Sequence, residues 1–582
     1  MKRIWVLLAS LFFLVGAFGQ EIEEISPKFS TSKISVAEAK QAMADLYQKR
    51  IARQVPGAET TGIDLFLDGE ERDRIAQKHE GLPTIGLSKN LDLPIDLAYA
   101  LAMGSKKPME TGYGMVRRDK QGFVWTAALF TEDASGIRIR FSDFKLPKGV
   151  EVYVYSDLGQ AFGPYTENGP NGKGEFWSDT LFSDAAWIQV EVPAAVNAAK
   201  VSFKLSEVAY FGESFRLGRS FMDHARGKYC PGSSGLTSCF ENARCYDNDS
   251  NVQKLMGAVA WIMYKSDKNG SWYGCTGALI NGSGATANMP WFLTAAHCVN
   301  SSTEVDSMEA YFDYATSGCN SLTSNCSSAY SDANKVSGGS LVATGGASLS
   351  DYSLIKLSDY PNGSSWSLGW SAGDYSDNDG ETLYRVSHPN HYPQAYSEHE
   401  VGTSLSQCSG DSRPAYIYTL HTLGYTEGGS SGAPLVNSTG KIVGKDKGRC
   451  SDQTCNDTLP MRDGSFRTAY YDKLRPFLKP TDIHVEEITV TEEEFGGIFY
   501  RPQAKVKVVD NQGVPVSGAI IQVIITGPVG MPAIGVTGSD GWATAIGFPS
   551  PVSGTWTACT QAITHSWLTW DSSEDDESCD SN

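Results

Sequence analysis

The chain has 582 residues and a net charge of −19 at pH 7. Its length exceeds what one hydrophobic core can organise, so we expect two to four domains. The acidic balance argues against a nucleic-acid-binding protein, which needs a basic contact surface.

The first residues have the pattern of an export signal. Two basic residues precede an apolar run from Ile4 to Phe18, and small residues at positions 17 and 19 fit cleavage before Gln20. No later stretch is long and apolar enough to cross a membrane. We therefore predict a signal peptide at 1–19 and a secreted, extracellular protein without a membrane span. Its twelve cysteines are then expected to form disulfides.

The next part of the chain has the features of a propeptide. Residues 31–57 predict a helix, because apolar residues recur at three-and-four spacing. From about Gly112 to Gly212, short alternating segments such as Ile137–Phe141 and Glu151–Ser156 predict a β-sandwich without cysteines. A cysteine-free region between an export signal and a cysteine-dense segment favours a propeptide at 20–228.

Three short segments then carry the residue types of a serine protease. LTAAHCV contains His297, SDYSLIKL contains Asp351, and GGSSGAPL contains Ser431. A serine hydroxyl needs an imidazole to accept its proton and a buried carboxylate to orient that imidazole. The order His, Asp, Ser is the chymotrypsin order and differs from the subtilisin and α/β-hydrolase orders. The segments therefore predict a catalytic triad.

Neighbouring residues support this interpretation. Cys298 follows the histidine, and a disulfide to the upstream Cys275 would anchor the histidine loop. Glycines permit a tight turn that aims the N–H groups of Gly429 and Ser431 at one oxyanion hole. Each segment alone could be a structural histidine, a loop aspartate or a flexible turn. Their order, together with the cysteine pair, favours catalysis.

Beyond Pro480 the sequence alternates with strand period between Gly-rich turns, which predicts an immunoglobulin-like β-sandwich at 482–582. Cys559 and Cys579 are its only cysteines, and we expect them to pair. Its ligand would be a surface or matrix component. The terminal DSSEDDESCD predicts a solvated acidic surface, with calcium binding as the alternative.

These motifs resemble the secreted bacterial lysyl endopeptidases of the chymotrypsin-like class. The similarity covers roughly residues 239–471 and includes AYFDYATSGC, SHPN and YTEGGSSGAP. It extends more weakly to VYVYS, FGPYT and GEFWS upstream. The resemblance implies a double β-barrel protease domain, which we place at 229–480, and three disulfides, namely Cys239–Cys450, Cys245–Cys319 and Cys275–Cys298. It assigns no partner to Cys230, Cys326, Cys408 and Cys455.

The specificity pocket departs from the trypsin pattern. Trypsin-like relatives carry an aspartate six residues before the serine, where this chain has Tyr425. The resemblance aligns MRDGSFRTAYY with the family's pocket strand and implies that Asp463 selects lysine or arginine through its buried charge. A surface-loop aspartate is the alternative. Lys447 occupies the position of the family's pocket histidine and could pair with Asp463, which would weaken that selection.

Activation is also expected to differ from that of trypsin. The chain has no Ile-Val-Gly-Gly segment to form a buried new N-terminus, and Ser430 replaces the aspartate with which such a terminus would pair. We expect activation by removal of the propeptide. Arg226 and Lys228 in HARGKYC are the predicted cleavage points.

The sequence thus predicts a mainly β chain with three parts: a β-rich propeptide, a chymotrypsin-like double β-barrel and an immunoglobulin-like sandwich. Its predicted function is that of a secreted serine endopeptidase that cuts proteins or peptides after lysine or arginine through an acyl-enzyme, without a cofactor. A metal site at His388, His391 and His399 is the less favoured interpretation of SHPNHYPQAYSEHE. The alternatives are a surface-binding or adhesion protein that acts through the C-terminal sandwich, or a protease of non-basic specificity.

Overall fold

The computed structural model describes most of the chain. The described residues are 22–75, 78–79, 82–97, 106–197, 200–225, 239–319, 322, 334–450, 459–480, 482–511, 513–565 and 568–582. The predicted signal peptide, the cleavage points Arg226 and Lys228, and Cys230, Cys326 and Cys455 lie outside these residues. Within the described part of the chain, no helix has the length and apolar character needed to cross a membrane.

The part before residue 226 is mostly β-structure. Its strands are β1 (Glu24–Ile25), β2 (Lys28–Thr31), β3 (Ile63–Leu65), β4 (Lys78–His79), β5 (Leu82–Asp96), β6 (Met109–Glu110), β7 (Met115–Arg118), β8 (Gly122–Thr131), β9 (Gly136–Ser142), β10 (Glu151–Tyr155), β11 (Ala161–Tyr165), β12 (Phe176–Trp177), β13 (Ala185–Pro193) and β14 (Ser202–Phe211). Its helices are α1 (Val36–Arg53), α2 (Gly69–Ile75) and α3 (Arg216–Ala225).

Helix α1 lies inside the stretch for which the spacing predicts a helix. It begins at a capping box, in which the Ser35 side chain accepts the Glu38 N–H at 3.2 Å and the Glu38 side chain accepts the Ser35 N–H at 2.8 Å. These reciprocal bonds satisfy backbone donors that the first turn leaves unpaired.

Two sheets form this N-terminal part. One has the strand order β11-β10-β13-β8-β7-β6, with β3 also on β8, and the other contains β12-β9-β14-β5. Side chains such as Trp125, Ile139, Val152 and Phe203 are buried in a common core. Alternation along the strands explains this arrangement, because successive side chains point to opposite faces of a sheet.

The described residues between 239 and 480 form sixteen strands. They are β15 (Glu241–Asn242), β16 (Val259–Lys265), β17 (Ser271–Leu279), β18 (Trp291–Ala295), β19 (Glu309–Phe312), β20 (Lys335–Ser337), β21 (Gly339–Gly345), β22 (Tyr352–Leu357), β23 (Ser364–Ser367), β24 (Gly369–Ser371), β25 (Thr382–Ser387), β26 (Ala395–Val401), β27 (Tyr416–Leu423), β28 (Pro434–Val436), β29 (Lys441–Arg449) and β30 (Met461–Ser465). Its helices are α4 (Ser250–Ala258), α5 (Ser302–Ser307), α6 (Phe466–Ala469) and α7 (Arg475–Leu478), with a π-helical turn at Tyr470–Leu474.

These strands form two barrel-like sheets. Strands β28-β25-β26-β27-β30 run side by side, and β29 pairs with both β28 and β30, which closes a six-stranded barrel. The second sheet has the order β20-β19-β16-β17-β18-β22-β21 and remains open. The prediction of a mainly β fold with a chymotrypsin-like double barrel is confirmed.

Strand pairing joins the N-terminal part to this open barrel. Strand β5 pairs antiparallel with β17, which places Gly86 opposite Trp272 and Leu87 opposite Ser271. Strands β1 and β2 pair with β24 and β23. The segment predicted to be the propeptide therefore extends the sheets of the predicted protease domain.

The C-terminal part is a two-sheet sandwich. Its strands are β31 (Asp482–Phe495), β32 (Phe499–Asp510), β33 (Ile520–Thr526), β34 (Met531–Val536), β35 (Trp542–Ile546), β36 (Thr557–Thr564), β37 (Thr569–Trp570) and β38 (Cys579–Ser581). The sheet orders are β35-β32-β31-β37 and β34-β33-β36-β38. Alternate residues such as Val506, Val523 and Trp556 are buried between the sheets. Cys559 is bonded to Cys579, as predicted.

The remaining disulfides agree with two of the three family pairings. Cys245 is bonded to Cys319 and Cys275 to Cys298. The predicted Cys239–Cys450 pairing is wrong, because Cys450 is bonded to Cys408, with the Cα atoms 5.2 Å apart. The loop that carries Cys408 lies against the end of β29, where Lys447 contacts Asp411. Cys239 is itself disulfide-bonded.

Candidate active site

Sheet register brings two of the predicted triad residues together. The last residue of β18, Ala295, pairs with the first residue of β22, Tyr352. His297 lies just after this pair and Asp351 just before it. The distance from His297 Nδ1 to Asp351 Oδ2 is 2.7 Å, and Asp351 Oδ1 accepts the His297 backbone N–H at 2.9 Å. The carboxylate therefore holds both the ring and the backbone of the histidine.

Asp351 is almost fully buried, with 3% of its side chain exposed. Burial alone would raise the pKa of its carboxyl, but the positive charges of His297 and Lys445 hold the pKa well below its usual range. The carboxylate is thus ionised at neutral pH and can stabilise an imidazolium.

Lys445 is a buried cation that sequence reasoning missed. Only 2% of the residue is exposed, and its Nζ donates to the Ser350 carbonyl at 2.7 Å. Burial lowers the pKa of Lys445 to about 8, against the opposing attraction of Asp351 and Asp463. Its signal in the sequence is weak, because a lysine on strand β29 looks like any solvent-facing residue.

Ser431 lies on the turn between β27 and β28. Its carbonyl accepts the Thr276 N–H at 2.9 Å, and the Gly432 N–H donates to Asp446 at 2.8 Å. Gly432 has a φ of +85°, and a Cβ there would lie 2.3 Å from the Thr276 carbonyl oxygen. Only glycine fits this turn without strain. The nucleophile is therefore held between the two barrels.

The described residues provide no hydrogen bond between the Ser431 hydroxyl and His297. In unliganded active sites such catalytic hydrogen bonds are often long and tighten when substrate binds. The Cys275–Cys298 disulfide joins the histidine loop to β17, and Cys298 Sγ lies 3.8 Å from the Ser431 carbonyl oxygen.

The predicted oxyanion hole consists of two backbone N–H groups. Gly429 has a φ of +100°, and its carbonyl accepts the Thr276 hydroxyl at 2.7 Å. Neither the Gly429 nor the Ser431 N–H donates a hydrogen bond to any residue that the structure describes. Both donors are therefore available to a developing oxyanion.

The predicted specificity residue Asp463 is not open to a substrate cation. It is completely buried, and its carboxylate is bonded to the equally buried Arg385. Thr419 adds a weaker hydrogen bond at 3.4 Å. Burial raises the pKa of Asp463, although Arg385 opposes this shift. The charge that was expected to select lysine or arginine is thus already paired inside the barrel.

The other two predicted pocket residues have different partners from those expected. Lys447 does not bind Asp463; its Nζ lies 2.9 Å from each carboxylate oxygen of Asp411. The Tyr425 side chain is nearly buried, and its hydroxyl accepts a hydrogen bond from Arg449. Sequence reasoning missed Arg449, whose only local signal is its place next to Cys450.

The three histidines of SHPNHYPQAYSEHE are structural. His388 Nδ1 contacts the Tyr392 carbonyl at 3.0 Å, and His391 Nδ1 accepts the Trp261 indole N–H at 3.1 Å. Burial lowers the pKa of His388 to about 4 and that of His391 to about 3. His399 contacts Ser397. In the described parts of the chain, no group of three or more His, Cys, Asp or Glu is placed to hold a metal ion.

Comparison with known proteins identifies the region around this site. Residues 232–459 match a family model described as lysyl endopeptidase, C-terminal domain. A lysyl endopeptidase of Pseudomonas aeruginosa is 25% identical over 273 residues, which are 46% of this chain and 54% of that protein. The chain thus matches about half the length of this curated relative.

Two solved structures illustrate more remote similarity. The active form of the Rv3671c protease from M. tuberculosis is 14% identical, with a TM-score of 0.27; the match covers 42% of this chain and 92% of that one. HL collagenase is 17% identical, with a TM-score of 0.26; the match covers 38% of this chain and 92% of that one.

Proposed function

We propose that this chain, which carries a lysyl endopeptidase-like domain at residues 232–459, is a secreted serine endopeptidase. The observation that carries the proposal is the bond between His297 and the buried, ionised Asp351, beside a serine turn with two available N–H donors. A structural histidine would not need this combination of groups.

In the proposed reaction, Ser431 Oγ attacks the scissile carbonyl of a protein or peptide while His297 takes its proton. Asp351 orients the imidazole and stabilises its positive charge. The N–H groups of Gly429 and Ser431 stabilise the oxyanion. His297 then protonates the leaving amine, and water hydrolyses the acyl-enzyme by the same route.

Secretion is part of the proposal. It is supported by the apolar run after the N-terminal Lys2 and Arg3 and by four disulfides among the described cysteines. Disulfides persist in oxidising compartments. The domain division at 20–228, 229–480 and 482–582 belongs to the same proposal, with removal of the first segment as the activating step.

The preference for lysine or arginine is not assigned to Asp463 in this proposal, because Arg385 occupies its carboxylate. A map of the cleavage sites in a denatured protein mixture decides between a basic and a non-basic specificity.

We also propose that the C-terminal sandwich is an accessory binding module. The outer face of its β33–β34 sheet exposes Ile524, Ile534 and Val536, each more than 40% accessible. Exposed apolar patches of this kind often mark interaction sites.

The test of the enzymatic proposal is the Ser431→Ala variant of the full chain, assayed on a denatured protein mixture after removal of the propeptide. Turnover should fall by several orders of magnitude with the fold intact, because a triad acts as a unit. An Asp351→Asn variant should also lose most turnover, since its imidazole is held in the wrong tautomer. Near-normal turnover of Ser431→Ala would refute the assignment.

A fluorophosphonate probe gives a second measurement. It should label Ser431 in the wild-type protein and leave the alanine variant unlabelled. A Ser430→Ala variant is the matched control, because Ser430 is adjacent and its hydroxyl instead contacts Ser387 at 3.0 Å. Ser430→Ala should keep its label.

A further inference from the structure

We infer that Lys445 is a positioning residue of the candidate triad. Its buried ammonium holds the aspartate turn, residues 350–351, in the conformation that presents the Asp351 carboxylate to His297. The inference rests on the proposed function, because it concerns the same active site. It adds a requirement that the triad motifs do not contain, namely a protonated cation supplied by strand β29.

The aspartate turn has a strained backbone. Ser350 has a φ of +70° and Asp351 a φ of +56°, so two consecutive residues that carry a Cβ lie in the left-handed region. Each such residue costs about 1–3 kcal/mol, and the surrounding structure must impose the conformation. The turn therefore depends on contacts from other parts of the barrel.

The peptide group between Ser350 and Asp351 is held from both sides. Its N–H donates to the Gly346 carbonyl at 3.0 Å, and its carbonyl oxygen accepts the Lys445 ammonium at 2.7 Å. The first contact is local, whereas the second comes from a residue 95 positions away. Ser350 is completely buried. Without the ammonium, its carbonyl would therefore lose this donor in a place that solvent does not reach.

Strand β30 packs directly against this contact. Gly464 pairs with Lys445 across the sheet. A Cβ at Gly464 would lie 1.9 Å from the Ser350 carbonyl oxygen and 2.7 Å from Lys445 Nζ. Only a glycine at this position leaves room for the carbonyl and the ammonium to meet. The contact is therefore built from three separate segments, namely the aspartate turn, β29 and β30.

Lys445 is also fixed to the strand that follows the nucleophile. On its other side it pairs with Pro434 on β28, three residues after Ser431. The register of β28, β29 and β30 thus sets the position of the ammonium relative to the serine turn. One strand register therefore determines the placement of both the nucleophile and the aspartate turn.

Charge adds to this geometry. Burial alone would raise the pKa of Asp351, and the charges of His297 and Lys445 hold it well below its usual range. Burial in turn lowers the pKa of Lys445 to about 8. Above this pH the neutral amine can still donate to the Ser350 carbonyl, but the bond is weaker and the attraction to Asp351 is lost.

Other charged and titratable groups surround the ammonium. They are Asp351, Tyr352 in the same small cavity, Asp446 and Lys447 on β29, Asp463 on β30, and Arg385, which is bonded to Asp463. The three carboxylates raise the pKa of Lys445, and Lys447 lowers it. Burial moves the pKa of Lys445 into the range between pH 7 and 10 and that of Tyr352 further above it.

The experiment measures fluorophosphonate labelling of Ser431 between pH 7 and 10, on the full chain after removal of the propeptide. The probe reacts with the serine itself, so the unassigned side-chain specificity does not enter. The maximum labelling rate of the wild-type protein should fall about tenfold as the pH rises through 8, because the charge beside Asp351 is lost. The probe concentration at half-maximal rate should stay constant. Circular dichroism at each pH checks that the fold is retained.

Lys445→Met removes the charge and the donor but keeps a side chain of similar length. Its maximum labelling rate at pH 7 should lie about a hundredfold below the wild-type rate, the loss expected when a catalytic group is displaced by about 1 Å. Its rate should no longer fall above pH 8, a readout that a merely structural role would not change. Lys445→Gln, which is polar but uncharged, is the second variant and should also lack the alkaline decline.

Lys473→Met is the matched control. The Lys473 ammonium also donates to a carbonyl, that of Thr344 on β21, but this lysine is exposed to solvent. The control variant should keep both the wild-type labelling rate at pH 7 and the decline above pH 8.

The outcomes separate this inference from the proposed function. A wild-type rate that stays constant between pH 8 and 10, or labelling of Lys445→Met at the wild-type rate, would overturn the role of Lys445 and leave the serine endopeptidase standing. Slow labelling of both Lys445 variants with the alkaline decline retained would also overturn it, because another group would then cause the decline. Absence of labelling in the wild-type protein at every pH would refute the proposed function itself.

Discussion

Lys445 shows how a single buried charge supports the site. Its ammonium lies behind Asp351 and lowers the pKa of that carboxyl, while its own desolvation is costly. The net effect is a triad carboxylate that stays ionised. Burial also lowers the pKa of Lys445, so this lysine binds its proton more weakly in the folded protein than in the unfolded chain.

Lys445 therefore predicts a particular pH dependence of stability. Between pH 8 and 10.5 the unfolded chain keeps a proton at this position that the folded protein has lost, so the free energy of unfolding should rise with pH across this window. Relative to Lys445→Met, the wild-type value should rise by about 3 kcal/mol. Urea unfolding at pH 7.5, 9 and 10.5, in the Ser431→Ala background to prevent self-digestion, checks this.

The control for this measurement is Lys473→Met. Lys473 also donates to a carbonyl, that of Thr344 at 3.0 Å, but it is exposed. Its variant should follow the wild-type curve. Parallel curves for Lys445→Met and the wild type would show that Lys445 titrates normally.

At the level of secondary-structure elements, a buried charge network lies where the predicted propeptide meets the open barrel. Glu309 on β19 is completely buried there and accepts the Thr180 N–H at 3.1 Å and the Lys335 ammonium at 3.0 Å. Arg138 on β9 lies 3.9 Å away. Burial alone would raise the pKa of Glu309, but these two cations hold it well below its usual range.

Glu309→Gln should therefore loosen this contact. Removing one partner from a buried charge network costs about 3–5 kcal/mol. Hydrogen exchange of residues 176–181 and 309–312, measured on the Ser431→Ala precursor, should increase accordingly. In the parent protein, the stabilisation that the ionised Glu309 provides is complete above pH 4.5. It should be lost as the pH falls toward the lowered pKa of Glu309, whereas the Glu309→Gln variant should lack this acid dependence.

An exposed ion pair in the same region provides the comparison. Lys173 and Asp306 are 3.1 Å apart, with 62% and 38% of their side chains accessible. Lys173→Gln should change stability by less than about 1 kcal/mol. If Glu309→Gln is equally mild, the buried network does not hold the two parts together.

For the whole molecule, the predicted activation can be tested on the uncut precursor. Because strands β1, β2 and β5 pair with the predicted protease domain, a cut alone leaves the N-terminal part attached by sheet hydrogen bonds. We expect Ser431→Ala to accumulate uncut and to be trimmed when active enzyme is added. Normal processing of the purified variant would point to a separate maturase.

Sequencing the new N-terminus then connects activation with specificity. A protease without a basic preference would not itself cut after Arg226 or Lys228. A terminus at those positions, formed only when Ser431 is intact, would therefore support the preference for lysine or arginine.

The C-terminal sandwich is expected to fold without the rest of the chain. Every strand in its two sheets comes from residues after 481, and its hydrophobic core consists of residues from the same part of the chain. Carboxylates of its acidic end accept N–H groups of β31, including Asp575 from Val485 at 2.7 Å and Asp580 from Val490 at 2.9 Å. Strand β37 pairs with β31 only at Asp482 and Ile483, so these carboxylates cover part of the remaining open edge of β31, which otherwise invites aggregation.

A fragment of residues 482–582 should therefore melt cooperatively, and a chain truncated near Pro480 should keep its turnover on short peptides. The Cys559–Cys579 bridge, with a sequence separation of 20, should stabilise the fragment by about 3 kcal/mol in the chain-entropy model. Reduction should lower the melting midpoint, and a Cys559→Ser, Cys579→Ser double variant should be insensitive to reductant. If the fragment is unfolded, the sandwich and the predicted protease domain form one cooperative folding unit.

Local residue patterns predict the strands and the residue types of the candidate active site. The strand alternation follows from the two-residue period of a sheet, and the types and order of His297, Asp351 and Ser431 predict the chemistry without any contact information. The resemblance likewise supplied Cys245–Cys319 and Cys275–Cys298, both of which the structure contains.

Contacts between distant segments depended on the tertiary structure. Arg385 reaches Asp463 across 78 positions, and Cys408 replaces Cys239 as the partner of Cys450. On β30, Met461 faces Arg449 while the next residue, Arg462, reaches Asp411. A shift of one residue in strand register reverses such assignments, because neighbouring side chains point to opposite faces. The partners of Asp463 and Cys450 are therefore set by contacts between strands and loops distant in sequence, which no local motif encodes.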